Sequence, residues 1–312
     1  MSAHWFSIIR PINLILLAIG MYALDVCVLQ PNFTTYGILF SLNELQFFLL
    51  VLSVVCICAG GYLINDYYDV QTDMINKPDK VFIGESKLSP ASVYRVYMIL
   101  TGIGFALGVY LSLAVEFWRL IALYVLAIAL LFFYATTFKR IALIGNIIVA
   151  LLAALSMLMV LVFEPHLYQL ARPGDYYIAE ICNRFILTMA AFAFTTTMVR
   201  EVIKDLEDVQ GDRQSGAKTL PVRYGYGVSK LVIWIFVLAT IGALVYMLTN
   251  ILDQHQLVYV LYTGILFMCM IIIGVWTYIA QSPQQFHRLS TLVKVTMGLG
   301  LGILPIYYLI AF

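Results

Sequence analysis

Residues 44–73 read ELQFFLLVLSVVCICAGGYLINDYYDVQTD, an apolar run that passes directly into an aspartate-rich segment. The apolar part, 44–64, is long enough to cross a bilayer as a helix, which takes about 20 mostly apolar residues. The segment that follows carries Asp66, Asp69 and Asp73. The stretch therefore predicts a transmembrane helix with a row of carboxylates at the end where it leaves the bilayer.

The whole chain shares this apolar composition. Of its 312 residues, 62% are hydrophobic and 11% are charged, whereas soluble domains carry about 25% charged residues. Such a chain cannot hide its apolar surface from water, so lipid must be the solvent for most of it. The net charge of +1 gives no indication of a nucleic-acid partner.

Apolar stretches recur along the chain at the length of a bilayer span. Nine segments qualify, which predicts an all-α polytopic membrane protein in a single domain, 1–312; a count of eight or ten remains an alternative. The predicted spans are roughly 11–29, 44–64, 92–114, 119–138, 141–163, 181–199, 230–249, 257–280 and 290–311.

The distribution of basic residues tests this count. With a cytoplasmic N-terminus, nine spans place 15 of the 18 Lys and Arg residues on the inside, as the positive-inside rule requires. A different number of spans would distribute the Lys and Arg residues over both sides of the membrane. We therefore expect the N-terminus and the two long charged segments, about 65–91 and 200–229, to be cytoplasmic.

The two charged segments contain an internal repeat. Residues 65–73 read NDYYDVQTD and residues 204–212 read KDLEDVQGD, with five of nine positions identical at an offset of 139 residues. Every aspartate is among the identical positions. The repeat predicts two related halves with equivalent motifs.

Each motif has the spacing DxxDxxxD. Positions i, i+3 and i+7 lie on one face of a helix, so each motif stacks three repelling carboxylates near a membrane surface. Oxygen-only ligands favour hard cations such as Mg²⁺, which fills its coordination sphere with waters and phosphate oxygens. The predicted metal ligands, together able to hold a diphosphate, are Asp66, Asp69, Asp73, Asp205, Asp208 and Asp212.

Basic residues flank both motifs and are candidates for neutralising a departing diphosphate. Lys139 and Arg140 are instead interpreted as topology anchors, and Glu207, which falls off the repeated spacing, as a solvated charge. No histidine-based metal site is expected.

These residues together resemble the UbiA superfamily of intramembrane prenyltransferases along nearly the whole chain. Arg10 to Asn13 (RPIN) is similar to the RPxN at the start of the first helix of the family, and 65–73 matches its NDxxDxxxD motif. Residues 205–221, ending in GAKTLP, resemble the second motif. Tyr134 to Arg140 is similar to a further signature after the fourth helix.

The resemblance implies a nine-helix fold that opens laterally to lipid, and Mg²⁺-dependent ionisation of a polyprenyl diphosphate. The resulting allylic cation would be captured by an acceptor, with loss of pyrophosphate. The resemblance assigns catalysis to Asp66, Asp69, Asp205 and Asp208. The substrate-binding residues that it implies are Asn13, Asn65, Lys77, Arg200, Lys204 and Lys218.

The acceptor is less well specified than the donor. The run 200–212 with its GAKTLP tail looks most like family members that transfer geranylgeranyl to geranylgeranylglyceryl phosphate, in bacterial or archaeal cell membranes. Residues 75–80 lack the Arg-Pro that follows the first motif in many quinone and haem branches. The alternatives are prenylation of an aromatic quinone or pigment precursor and, further away, a lipid diphosphate phosphatase or a transporter.

Overall fold

A computed structural model describes residues 2–76, 78, 81–84, 87–168, 173–252 and 256–312. Within these ranges the secondary structure is helical, and β-type pairing is limited to two isolated bridges, Ile83 with Leu88 and Ile141 with Lys218. The α-helices are α1 Ser2–Ile9, α2 Pro11–Leu24, α3 Gln30–Tyr36, α4 Glu44–Asn76, α5 Pro90–Ala114, α6 Ile121–Thr136, α7 Ile144–Val162, α8 Pro173–Gln214, α9 Leu220–Asn250, α10 Leu257–Ile279, α11 Pro283–Leu301 and α12 Ile303–Ala311. A π-helical turn, Asp25–Leu29, joins α2 to α3.

The predicted number of membrane spans is confirmed for the part of the chain that the structure describes. Nine helical segments there are long and apolar enough to cross a bilayer. Some of them combine neighbouring elements, as α2, the π-turn and α3 do in Pro11–Tyr36.

Two helices extend beyond the predicted spans 44–64 and 181–199 into the charged segments. Residues 65–76 continue α4 and residues 200–214 continue α8, so both aspartate motifs lie within helices, as their spacing predicted. With 33 residues in α4 and 42 in α8, both helices are longer than the roughly 20 residues that a bilayer requires. Their charged ends can therefore keep backbone hydrogen bonds while extending beyond the lipid.

The chain forms two compact units. The first comprises Met1–Ile19, Leu42–Ile148 and Asp208–Val222. Its helices α4 and α5 pack closely at Gly104, where a Cβ would lie only 2.7 Å from the Ser53 carbonyl oxygen. Small residues such as glycine allow this close approach between membrane helices. The apolar core at the charged end of α4 consists of Ile8, Leu63, Ile64, Ile83, Leu88, Val93, Tyr97 and Ala135.

The second unit comprises Gly20–Ser41, Val149–Glu207 and Arg223–Phe312. Helices α8 and α9 are joined by a buried hydrogen bond of 2.9 Å from the Thr240 hydroxyl to the Thr195 hydroxyl. Helix α11 begins with a capping box, in which Ser282 and Gln285 satisfy each other's backbone N–H groups. The long helix α8 starts in this unit and ends in the first.

Candidate functional site

The first aspartate motif lies on the last turns of α4, inside the first unit. Asn65, Asp66, Asp69 and Asp73 are all partly buried there. Their helical spacing puts the three carboxylates on one face, as predicted. Side-chain exposure is 17% for Asp66 and 20% for Asp69, so these charges are shielded from bulk water and need partners.

Arg10 supplies one of these partners. Its guanidinium donates to Asp66 Oδ1 at 2.5 Å and lies over the Tyr62 ring, 4.9 Å from the centroid. Arg10 sits between α1 and α2 with a φ of +55°, a backbone conformation that L-residues rarely adopt without compensating contacts. Asn13, one of the predicted substrate-binding residues, donates to the Tyr62 hydroxyl at 3.3 Å.

Lys139 supplies the second partner. Its ammonium lies 2.6 Å from Asp69 Oδ1 and donates to Asn65 Oδ1 at 3.5 Å. At 12% exposure the Lys139 side chain is largely buried. The interpretation of Lys139 as a topology anchor stays a prediction, and the structure adds that its ammonium contacts two residues of the first motif.

The end of the second motif lies beside the first motif in the first unit. Asp66, Asp69, Asp73 and Asp208 all belong to this unit, and hydrogen bonds from Asn76 join the last turn of α4 to α8 at residues 208 and 211. We call Asp66, Asp69, Asp73 and Asp208 the carboxylate cluster. A set of like charges this close is stable only with counter-charge, part of which Arg10 and Lys139 provide.

Asn76 fixes the end of α4 against the second motif. Its side-chain amide donates to the Asp208 carbonyl oxygen at 3.3 Å, and its Oδ1 accepts from the Gly211 N–H at 2.8 Å. Any Cβ on residue 211 would overlap the Asn76 side chain. The glycine of the second motif is therefore needed for the close approach of α4 and α8 within this unit.

The last aspartate of the second motif organises the segment that follows it. Asp212 Oδ2 accepts from the Thr219 hydroxyl at 2.9 Å. The backbone N–H of Lys218 donates to the Arg140 carbonyl oxygen at 2.8 Å. Lys218, predicted to contact phosphate, thus lies next to the segment that carries Lys139, with an exposed side chain.

The remaining predicted cations lie in the second unit. Arg200 Nη1 contacts Glu201 Oε1 at 2.6 Å and Lys204 Nζ contacts Glu201 Oε2 at 3.1 Å. Glu201 is buried. Asp205 follows on the same helix, one residue after Lys204, and Lys77 lies outside the described residues.

Sequence reasoning missed several residues of this arrangement and misjudged another. Glu207 is not a solvated charge: its side chain is 7% exposed and lies 3.1 Å from His287. Arg10 and Lys139 lie inside the two family signatures, 10–13 and 134–140, so the sequence did indicate that they could belong to the site. No sequence pattern indicated Asn76 or Glu201, because their roles depend on which helices pack together.

The oxygen ligands of the carboxylate cluster are chemically suited to Mg²⁺. In the described part of the chain, no three His, Cys, Asp or Glu side chains already form a metal-binding group. Mg²⁺ does not require one, since it commonly takes one or two carboxylates and completes its shell with waters and substrate phosphates. The carboxylate cluster offers only oxygen donors, and its present counter-ions are side chains that can themselves bind phosphate.

The chain matches one protein family and several curated relatives. Residues 33–297 match the UbiA prenyltransferase family. Digeranylgeranylglyceryl phosphate synthase of Sulfolobus acidocaldarius is 30% identical over 261 residues, covering 81% of this chain and 85% of the relative. The enzyme of the same name from Thermococcus kodakarensis is 34% identical over 204 residues, which is 65% of each protein.

Solved structures share the fold. One of a digeranylgeranylglyceryl phosphate synthase in membranes has a TM-score of 0.65 at 22% identity and covers 98% of both chains. A UbiA homologue from Archaeoglobus fulgidus, bound to DMAPP and Mg²⁺, has a TM-score of 0.59 at 13% identity, over 96% of this chain and 99% of the homologue. This chain therefore belongs to the UbiA prenyltransferase family and is a multi-pass membrane prenyltransferase.

Proposed function

We propose that this enzyme transfers a geranylgeranyl group from its diphosphate to the free hydroxyl of geranylgeranylglyceryl phosphate, using Mg²⁺. The choice of acceptor is supported by the relatives at about 30% identity, whose name describes this product class. The use of Mg²⁺ is supported by the homologue bound to DMAPP and Mg²⁺ and by the oxygen-only donors of the carboxylate cluster.

The observation that carries the proposal is the packing of the end of α4, which bears the first motif, against the second motif. Asn76 on α4 donates to the Asp208 carbonyl oxygen at 3.3 Å and accepts from the Gly211 N–H at 2.8 Å. A diphosphate with its metal ions needs carboxylates on more than one side, and two helices approaching one another provide them. Asp205 and Asp212 complete the proposed ligand set through their helical spacing from Asp208.

The chemistry follows from these groups. The bond between the first prenyl carbon and the diphosphate oxygen breaks, and its electron pair leaves with pyrophosphate. The acceptor hydroxyl oxygen forms a new bond to the allylic carbon and releases its proton to water. Bound Mg²⁺ supplies neutralisation of the charge that grows on the leaving pyrophosphate.

The protein's own side chains prepare the site for this step. Arg10 holds Asp66 and Lys139 holds Asp69 in fixed positions. When a metal–diphosphate complex enters, both cations are suited to contact phosphate oxygens, because guanidinium and ammonium groups bind phosphate directly. Asn65, Asn13, Lys77 and Lys218 complete the proposed donor site.

We also propose that the carboxylate cluster faces the cytoplasm, and with it the N-terminus. The support is the strong bias of Lys and Arg toward one side of the nine predicted spans. A cytoplasmic site would have access to soluble Mg²⁺ and would release pyrophosphate into the same compartment.

The proposal is tested by product identity. Purified enzyme in lipid nanodiscs is given radiolabelled geranylgeranyl diphosphate with three parallel acceptors: geranylgeranylglyceryl phosphate, an aromatic quinone precursor, and water alone. We expect a labelled diether lipid phosphate in the first reaction. Label on the aromatic ring, or free geranylgeraniol as the sole product, would contradict the proposed acceptor.

A further inference from the structure

A buried carboxylate in the second unit pairs with two cations. Glu201 is 7% exposed and pairs with both Arg200 and Lys204, at 2.6 and 3.1 Å. Two cationic side chains thus share one carboxylate. The cationic side chains are partly exposed, 24% for Arg200 and 30% for Lys204, so their polar ends can be reached by a ligand.

This arrangement is a preorganised site for an anion. A long side chain that is free in solution loses conformational entropy when it binds; here both cations are already fixed on one carboxylate. Arg200 uses a single guanidinium nitrogen for Glu201 among its described contacts, and a guanidinium has five N–H donors. The remaining donors are oriented and available for phosphate oxygens.

We propose that Arg200 and Lys204, positioned by Glu201, bind the phosphate group of the prenyl acceptor. The inference rests on the proposed function, and it names the residues that select a phosphorylated acceptor over an unphosphorylated one. Glu201 acts as a positioning residue, since it touches the cations and not the substrate.

The chemistry of the two phosphate groups assigns this trio to the acceptor rather than the donor. The aspartate motifs are acidic and bind a diphosphate only through metal ions, whereas a phosphate monoester without its own metal needs cations directly. Arg200 and Lys204 are about one helical turn apart on α8 and share Glu201, so both cations can contact one phosphate group.

The test is acceptor selectivity. Glu201→Gln, Arg200→Gln and Lys204→Gln are assayed with geranylgeranylglyceryl phosphate and with geranylgeranylglycerol, at saturating geranylgeranyl diphosphate. We expect the ratio of kcat/KM for the phosphorylated over the unphosphorylated acceptor to fall roughly tenfold or more in each variant, as for the loss of a charged hydrogen bond. The KM for the phosphorylated acceptor should rise more than the KM for the donor.

A matched control lies on the same helix. Arg184 pairs with Glu180 on the exposed surface of α8, and Arg184→Gln removes an Arg–Glu pair without touching the trio. The selectivity ratio of this control should equal that of the wild type. If Glu201→Gln does not accumulate as folded protein, the other two variants carry the same test, because their side chains are partly exposed.

Other results would overturn the inference. An unchanged selectivity ratio with a general loss of stability would make Glu201 purely structural. A rise in donor KM alone would assign Arg200 and Lys204 to the diphosphate. Failure of the proposed function itself is recognised separately, because the wild-type enzyme would then transfer no label to either glycerol acceptor.

Discussion

Replacing Gly211 by alanine is expected to change stability in opposite directions, depending on whether Asn76 is present. In the native protein, a Cβ at 211 overlaps the Asn76 side chain and displaces it from two hydrogen bonds to α8, at 2.8 and 3.3 Å. Two such bonds contribute about 1–3 kcal/mol. Alanine recovers about 1 kcal/mol over glycine through helix propensity.

The net effect of Gly211→Ala in the native background is therefore a loss of up to about 2 kcal/mol in unfolding free energy. In an Asn76→Ala background the obstacle and the hydrogen bonds are already gone. The same substitution should then stabilise the protein by about 1 kcal/mol. The coupling between the two positions equals the contribution of the Asn76 bonds, about 1–3 kcal/mol.

The measurement is a double-mutant cycle by chemical unfolding in detergent micelles, with kcat/KM followed in parallel. Gly242 on α9 serves as the control, because a Cβ there would meet nothing within 4 Å; Gly242→Ala should have the same effect with and without Asn76. We expect Gly211→Ala and Asn76→Ala each to lower kcat/KM, since both loosen the approach of Asp208 to the first motif. A coupling below about 0.5 kcal/mol, the usual limit of additivity, would refute the role given to Asn76.

Four further predictions follow from the site. Asp66→Ala and Asp208→Ala should each abolish turnover while the protein still unfolds cooperatively in detergent; near-normal activity of either variant would contradict a site built from both motifs. EDTA should stop the reaction and added Mg²⁺ should restore it, as measured by pyrophosphate release, and activity that survives chelation would exclude a metal-dependent step. Lys139→Gln should raise the donor KM by roughly tenfold or more through loss of a charged contact, and an unchanged KM would assign Lys139 to structure alone. Single cysteines at 87 and 166, in a variant free of other cysteines, should be labelled by impermeant reagents from the cytoplasmic and the outer side respectively; the reverse pattern would overturn the orientation.

Much of the fold could be predicted because the bilayer imposes its own length scale. Each span must bury about 20 residues in lipid, so the number of spans could be counted from composition alone. The lengths of α4 and α8 were underestimated, since apolar composition stops where the lipid stops, whereas backbone hydrogen bonding continues through the aspartate motifs to residues 76 and 214.

The candidate site was predicted where its signal is local. The i, i+3, i+7 spacing of the aspartates needs only helical geometry, and the repeat of that spacing pointed to two motifs of one kind. The partners of these carboxylates were not predictable in the same way. Lys139 is 70 residues from Asp69 in sequence, and its place in a family signature does not say which carboxylate it contacts.

The sequence by itself determined a multi-pass helical membrane protein with two equivalent aspartate motifs, because hydrophobic length and helical periodicity are local properties. Tertiary structure alone decided that Arg10 and Lys139 neutralise the first motif. It also decided that Asn76 and Gly211 bring the second motif to the first, and that Glu201 holds a separate pair of cations. These contacts depend on which helices pack together, and packing follows from surface complementarity between distant segments rather than from any pattern along the chain.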